Sequence, residues 1–217
     1  MGVLSRLLRS RVRRGEHRRG AVHAAKGLTF DLITGLRACA LAACLAASPA
    51  QANTPQSPLP PAVAAQAATE LVPVGRGRLT FWGFEVYDAA LWTARGFRAT
   101  QFASQPFVLE LTYQRNFVAD EISRVSLKEM RRHGEFDAAQ AERWQAQLTA
   151  ALPDVRRGDR LAGVHRPGQG VSFFHNGRLT GEVADATFAR LFFAIWLGEA
   201  TSAPELRQAL IAGTTRP

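Results

Sequence analysis

Cysteine is nearly absent from this chain. Cys39 and Cys44 are the only two in 217 residues, and both fall in an N-terminal leader. The folded part therefore carries no thiol, which excludes cysteine nucleophiles and a disulfide framework and leaves stability to packing alone. Histidine is almost as sparse. Only His133, His165 and His175 follow the leader, with no i, i+4 pair on a helix and no metal-ligand spacing. No nucleophile elbow, phosphate loop or dinucleotide fingerprint occurs, and Gly75-x-Gly77 is too short to be one. No apolar run approaches the roughly 20 residues of a membrane-spanning helix. From these absences we expect no metal, no cofactor and no catalytic residue.

What is there begins with an address. Residues 1–26 carry eight arginines and lysines, from Arg6 to Lys26. After Arg37 comes an apolar run, Ala38 to Pro49, and then Ala50-Gln51-Ala52, a small-x-small cleavage pattern. This is the pattern of a secretory signal peptide over residues 1–52, cut after Ala52. Leu41-Ala42-Ala43-Cys44 also fits a lipobox, but the apolar run continues past Cys44, which favours the cleaved form over a lipoprotein. The expected location is periplasmic or secreted. The leader holds nine of the 27 basic residues and two of the 18 acids, leaving 18 against 16 in the remainder. Overall basicity thus belongs to the leader, and no nucleic-acid partner is implied.

Residues 53–68, rich in Pro, Ala and Gln, read as a flexible linker. Residues 69–213 make one domain, large enough for a single core. Strands are expected at Gly77–Trp82, at Phe84–Trp92 after the Gly83 turn, and at Phe107–Tyr113 with Phe107, Leu109, Leu111 and Tyr113 on one face. Two helices follow. The first runs from Asp120 to Arg132 with Ile122 and Val125 inward. The second is capped by Asp137, carries Ala141, Trp144 and Leu148 inward, and stops at Pro153. Asp159–His165, Val171–His175 and Arg178–Val183 form a second strand group, with Asn176-Gly177 as a hairpin turn. Two last helices are capped by Asp185 and by a Ser202/Glu205 capping box. Strands, helices, strands, helices is an α+β order: an antiparallel sheet of about six strands covered on one face by helices.

The remaining material for function is apolar. Phe81, Trp82, Phe84, Trp92, Phe173, Phe174, Phe188, Phe192, Phe193 and Trp196 could simply be a core, or could wall a pocket with a few polar groups in it. Arg76 and Arg78 at the start of the first hairpin, with Tyr87 in its second strand, are the candidate ligand-binding residues. A guanidinium holds a carboxylate through two parallel hydrogen bonds, and a tyrosine hydroxyl adds a third. The bland reading of each arginine is an exposed strand charge. His133 reads as a solvated helix end, and His165 and His175 as strand residues near turns.

Three blocks resemble the bacterial chalcone isomerase-like family: Gly77-Arg78-Leu79 through Leu91-Trp92, Arg157-Gly158-Asp159, and Phe188 to Leu210. The resemblance runs from about Leu71 to Gly213. It implies a large antiparallel sheet beneath a helical layer, with a cleft between them. The family so identified divides into plant enzymes that close a flavanone ring and non-catalytic members that bind fatty acids. The enzymes use an Arg, a strand Thr, a helical Tyr and Asn, and a late helical Thr. Here Tyr87 stands at the strand Thr position, Ile122 and Glu129 fall near the helical pair, and Ile195 near the late Thr. Most of that polar network is therefore replaced, and Tyr in place of Thr resembles the fatty-acid-binding members.

These readings converge on a periplasmic, non-catalytic protein that holds an apolar carboxylic acid, such as a fatty acid, between sheet and helices. The cation would be Arg76 or Arg78. A chalcone isomerase-like intramolecular lyase and a structural module with a filled cleft are the alternatives.

Overall fold

The computed structural model describes residues 58–215; the signal-peptide reading and residues 53–57 of the linker lie outside them. Six strands run in sequence order across one sheet, each antiparallel to its neighbour. They are β1 (Val72–Phe81), β2 (Phe84–Thr93), β3 (Phe107–Tyr113), β4 (Arg160–Arg166), β5 (Gly170–His175) and β6 (Arg178–Val183). The α+β reading, an antiparallel sheet of about six strands, holds. The first two strands join through Trp82 and Gly83, both at positive φ, and β5 and β6 through Asn176 and Gly177, also both positive. Two successive positive-φ residues match the right-handed twist of antiparallel strands.

A first helix, α1 (Pro61–Gln66), lies where a flexible linker was expected. Its Val63 is completely buried, packed with Ala67, Trp92, Val108, Val164 and Phe174. Pro60 and Pro61 set the helical start, since proline at the first turn loses no hydrogen bond. The stretch was misjudged because its small, Pro-rich composition hides one anchoring valine. In consequence β3 is buried on both faces along most of its length.

The other four helices cover the opposite face. They are α2 (Ala119–Met130), α3 (Ala138–Ala151), α4 (Ala186–Leu197) and α5 (Pro204–Ile211). Asp137 and Gln140 close a capping box on α3, and Asp185 accepts from the Phe188 amide on α4. The expected Ser202/Glu205 box is absent: Ala203 is the N-cap of α5, and the Thr201 hydroxyl instead accepts from the Ala203 amide at 3.2 Å. Pro204 at the first helical position shifts the start by one residue and leaves Ser202 out of reach. Thr201 in turn donates to the Ile195 carbonyl at 2.6 Å, tying the loop back onto α4.

The last helix lies directly on β1. A Cβ on Gly75 would land on the carbonyls of Ala209 and Leu210. Arg76, next along the strand, points to the opposite, exposed side. Gly75→Ala is expected to destabilise by roughly 1–3 kcal/mol through overpacking, and Arg76→Ala by less than about 0.5 kcal/mol; urea unfolding measures both.

His165 is buried in the main core, its ring stacked on Phe107 at 4.7 Å and its Nδ1 2.9 Å from the Gln105 carbonyl. Burial holds its pKa below the usual histidine value, partly offset by that hydrogen bond. The unfolded chain therefore takes up a proton first as pH falls below about 6.5. Stability falls with it until the folded imidazole is protonated too. His133 is half-buried with its Nε2 enclosed and unpartnered among the described residues, so it is not the solvated helix end expected, and burial depresses its pKa as well. His165→Phe should flatten, without abolishing, the fall of Tm between pH 7 and 5, read by thermal melts across that range.

Candidate functional site

The strand face under the helices does not pack solid. A cavity of about 110 Å³ remains between the sheet and α2 and α4. Its floor is set by register. Tyr87 on β2 lies between Leu79 on β1 and Tyr113 on β3, so all three face the helices side by side. A bulge between Leu79 and Thr80 places Val86 against the cavity as well as Tyr87. Bulges re-aim side chains in this way beside functional sites.

The roof comes from α2. Ile122, Val125, Ser126 and Glu129 stand at i, i+3, i+4 and i+7, one face of the helix, and all four line the cavity. From α4, Ile195 and Trp196 close one side. The walls are overwhelmingly hydrocarbon and aromatic, with a small set of polar groups among them.

Those polar groups form a definite arrangement. Trp196 Nε1 donates to the Tyr87 hydroxyl oxygen at 2.9 Å. Because the indole can only donate, the Tyr87 O–H remains available to another acceptor. The Tyr113 ring meets Tyr87 edge to face at 5.9 Å, and among the described residues no hydrogen bond holds its hydroxyl. These are the only two tyrosines in the chain. Burial pushes both hydroxyls above the usual tyrosine range; for Tyr87 the Trp196 hydrogen bond opposes this and the nearby Glu129 charge adds to it. Both are therefore neutral donors at any physiological pH.

Glu129 is the one charged residue of the cavity lining among the described residues, and it is 5% exposed. Its Oε2 is buried with no hydrogen-bond donor. Arg132 comes nearest, with Nε 3.8 Å from Oε2, while the same Nε donates to the Ala200 carbonyl at 3.1 Å.

The three residues expected at the binding site are divided by the sheet. Tyr87 lines the cavity; Arg76 and Arg78 do not. Leu79 faces the helices, so the period-two alternation of β1 turns its neighbour Arg78 to the other face. There Arg78 lies across from its register partner Asp88, bonded through Nη2 to Oδ2 at 3.0 Å, and pairs with Glu85. Hydrogen bonding to Asp88 raises its pKa further. Arg76 is exposed on the same side. The cation expected at the head of the cleft is thus replaced by Leu79. Nor do the two strand histidines meet: His165 pairs with Val171 in the register and His175 with Leu161, where it contacts Asp159.

Sequence reasoning missed Tyr113 and Glu129 as site residues. The signal for Glu129 was its place as the fourth point of the α2 stripe, and for Tyr113 its place on the same face as Leu109 and Leu111.

The family model described as chalcone isomerase-like matches residues 55–212. The chain belongs to the chalcone isomerase-like family. No curated protein matches it. Among solved structures, an Arabidopsis thaliana fatty-acid binding protein is similar to it, with 12% sequence identity and a TM-score of 0.52. That likeness covers 66% of this chain and 88% of the plant protein, and it speaks for the shared fold. The cavity lies between sheet and helices, where the resemblance implies a cleft, and its lining includes Tyr87, Ile122, Glu129 and Ile195, the residues that the resemblance puts at or near the enzymes' polar positions.

The Trp196–Tyr87 hydrogen bond should be measurable as a coupling. Tyr87→Phe leaves the indole N–H without its acceptor and should cost about 1–3 kcal/mol. In a double-mutant cycle with Trp196→Phe, the interaction energy should come out at about 0.5–1.5 kcal/mol favourable.

Proposed function

We propose that this protein is a non-catalytic binding protein for an apolar carboxylic acid of the fatty-acid type, held between the sheet and the helices. One observation carries the reading: an apolar cavity whose lining includes Tyr87 and Tyr113, the Tyr87 hydroxyl already oriented by Trp196. Apolar walls with few, well-placed polar groups are the usual make-up of a small-molecule site. The ligand class is supported by a structural neighbour that is a fatty-acid binding protein. The leader of residues 1–52 supports export to the periplasm, where the mature chain would work.

The head group in this reading meets hydroxyls and not a guanidinium. Arg78 is engaged by two carboxylates on the far side of the sheet. The cavity is also small. At about 110 Å³ it is nearer the roughly 150 Å³ hole that accepts benzene than the 300 Å³ or more of typical ligand pockets. A short chain or a ring fits as it stands, and a longer tail requires side chains such as Ile122 and Val125, which are only half-buried, to move aside. A void of this kind also argues against a structural module with a filled cleft. Ring closure would need donors aimed at a developing enolate, and Ile122 and Ile195 supply none.

Titration of the purified protein with saturated acids of graded length, by calorimetry and native mass spectrometry, tests the reading. One acid should bind per chain, and Ile122→Trp, or Leu79→Phe as a milder filling, should lower affinity at least tenfold while the melting curve remains cooperative. Arg78→Ala should leave affinity unchanged. Binding by no acid of any length, or undiminished binding in both filled variants, would overturn it.

A further inference from the structure

We infer that the cavity receives its ligand's head group as a hydrogen-bond donor, so that an apolar acid is bound in its neutral, protonated form with its O–H directed to Glu129. This deepens the binding reading above and rests on it. A buried carboxylate needs donors. Glu129 is almost fully buried in the cavity wall, its Oε2 has none among the described residues, and Arg132 stands beyond hydrogen-bond distance. An unsatisfied buried acceptor of this sort costs about 1–3 kcal/mol, more when charged. A ligand whose donor reaches the Glu129 carboxylate from the cavity lowers the cost of burying it, and one that brings a second negative charge raises that cost.

Two carboxylates that share a low-dielectric site cannot both remain ionised; one proton is retained between them. An incoming carboxylate must therefore take a proton from solvent on binding, and that proton sits between the ligand and Glu129. The tyrosines complete the pattern. The Tyr87 and Tyr113 O–H groups are available to donate to the acid's carbonyl oxygen, which a neutral acid offers alongside its own O–H. A hydroxyl head group on an apolar tail satisfies the same arrangement without any proton uptake.

Other charged groups about Glu129 do not confuse the signal. On its own helix stand Arg132 and His133; across from them are Tyr87 and Tyr113 on the sheet and Arg190 on α4, beside His133. Arginine stays charged throughout, both tyrosine hydroxyls are raised, and His133 is depressed. The shifts of the tyrosines and of His133 all move their titrations away from the window between pH 6.5 and 8.5, so a proton taken up there is assigned to the ligand and Glu129.

The test uses three ten-carbon probes on the intact mature protein: decanoic acid, decan-1-ol and methyl decanoate. For the acid, the dissociation constant should rise about tenfold per pH unit from 6.5 to 8.5, as linkage to one proton requires. Calorimetry in two buffers of different ionisation enthalpy should show uptake close to one proton. The alcohol should bind with no pH dependence, and the ester, which has no donor, should bind at least tenfold more weakly than the alcohol. In Glu129→Gln the amide can donate to a carboxylate, so proton uptake by the acid should fall to near zero and its pH dependence should flatten. Acid binding without proton uptake, or an ester as tight as the alcohol, would overturn this inference and leave the binding reading standing. Failure of all three probes and of every other acid, at every pH, would overturn both.

Discussion

Everything at this site depends on the alternation of side chains along β1 and β2 beneath a layer of helices. A strand residue has only two directions. Gly75, Gly77 and Leu79 look toward the helices, where α5 lies on the first two glycines and Leu79 borders the cavity. Arg76 and Arg78 must then look the other way. The same rule carries Tyr87 and Tyr113 to one face, because they are register partners on adjacent antiparallel strands. Position in the pleat, more than residue type, decides which polar groups share the cavity.

The cavity exists because the helix above it fits incompletely. Protein interiors normally pack at crystal-like density, and the rest of this core does so: Phe107, Phe188 and Phe193 are fully buried and meet neighbouring rings face or edge on. The cavity side of α2 instead presents Ile122, Val125, Ser126 and Glu129, a mixed stripe in which the last two are too short or too polar to fill the space over Tyr87. Thr201, bonded to the Ile195 carbonyl, ties the α4–α5 loop back onto α4 beside the gap. The void follows from what the sequence places on that stripe, and it is apolar apart from the groups named.

Most of the architecture was legible in the residues. Asn176-Gly177, Asp137 with its capping box, Asp185, and the apolar face of Phe107–Tyr113 all act locally, through φ preference, orphan amides or period two, and each appears as expected. What was not legible depended on neighbours distant in sequence. Nothing within residues 53–68 says that Val63 meets Val108 and Phe174 across the sheet. The cap of α2 comes from Asp154, 35 residues downstream, which accepts from the Ala119 amide at 2.8 Å. Glu110 resembles an exposed strand charge, yet it is buried beside Arg160, 2.8 Å away. For the site, Tyr87 was readable and the arginines were not, because the pleat of β1 turns Leu79, and not Arg78, toward the helices beside Tyr87.

That misplacement has a chemical consequence larger than the loss of one contact. A guanidinium at the head of an oily cleft would select an ionised acid and reject a neutral one. On the inference drawn above, a buried carboxylate such as Glu129 would select in the opposite sense: it would disfavour an anion and accept a group with both a donor and an acceptor. The cost of a charge in a low-dielectric wall makes the difference steep, since each unit of pKa perturbation corresponds to about 1.4 kcal/mol. Two members of one fold can thus hold molecules of the same shape and differ in the protonation state they recognise. In this chain the inferred difference would rest on two positions, Leu79 facing in where a cation was expected and Glu129 on the cavity side of the α2 stripe.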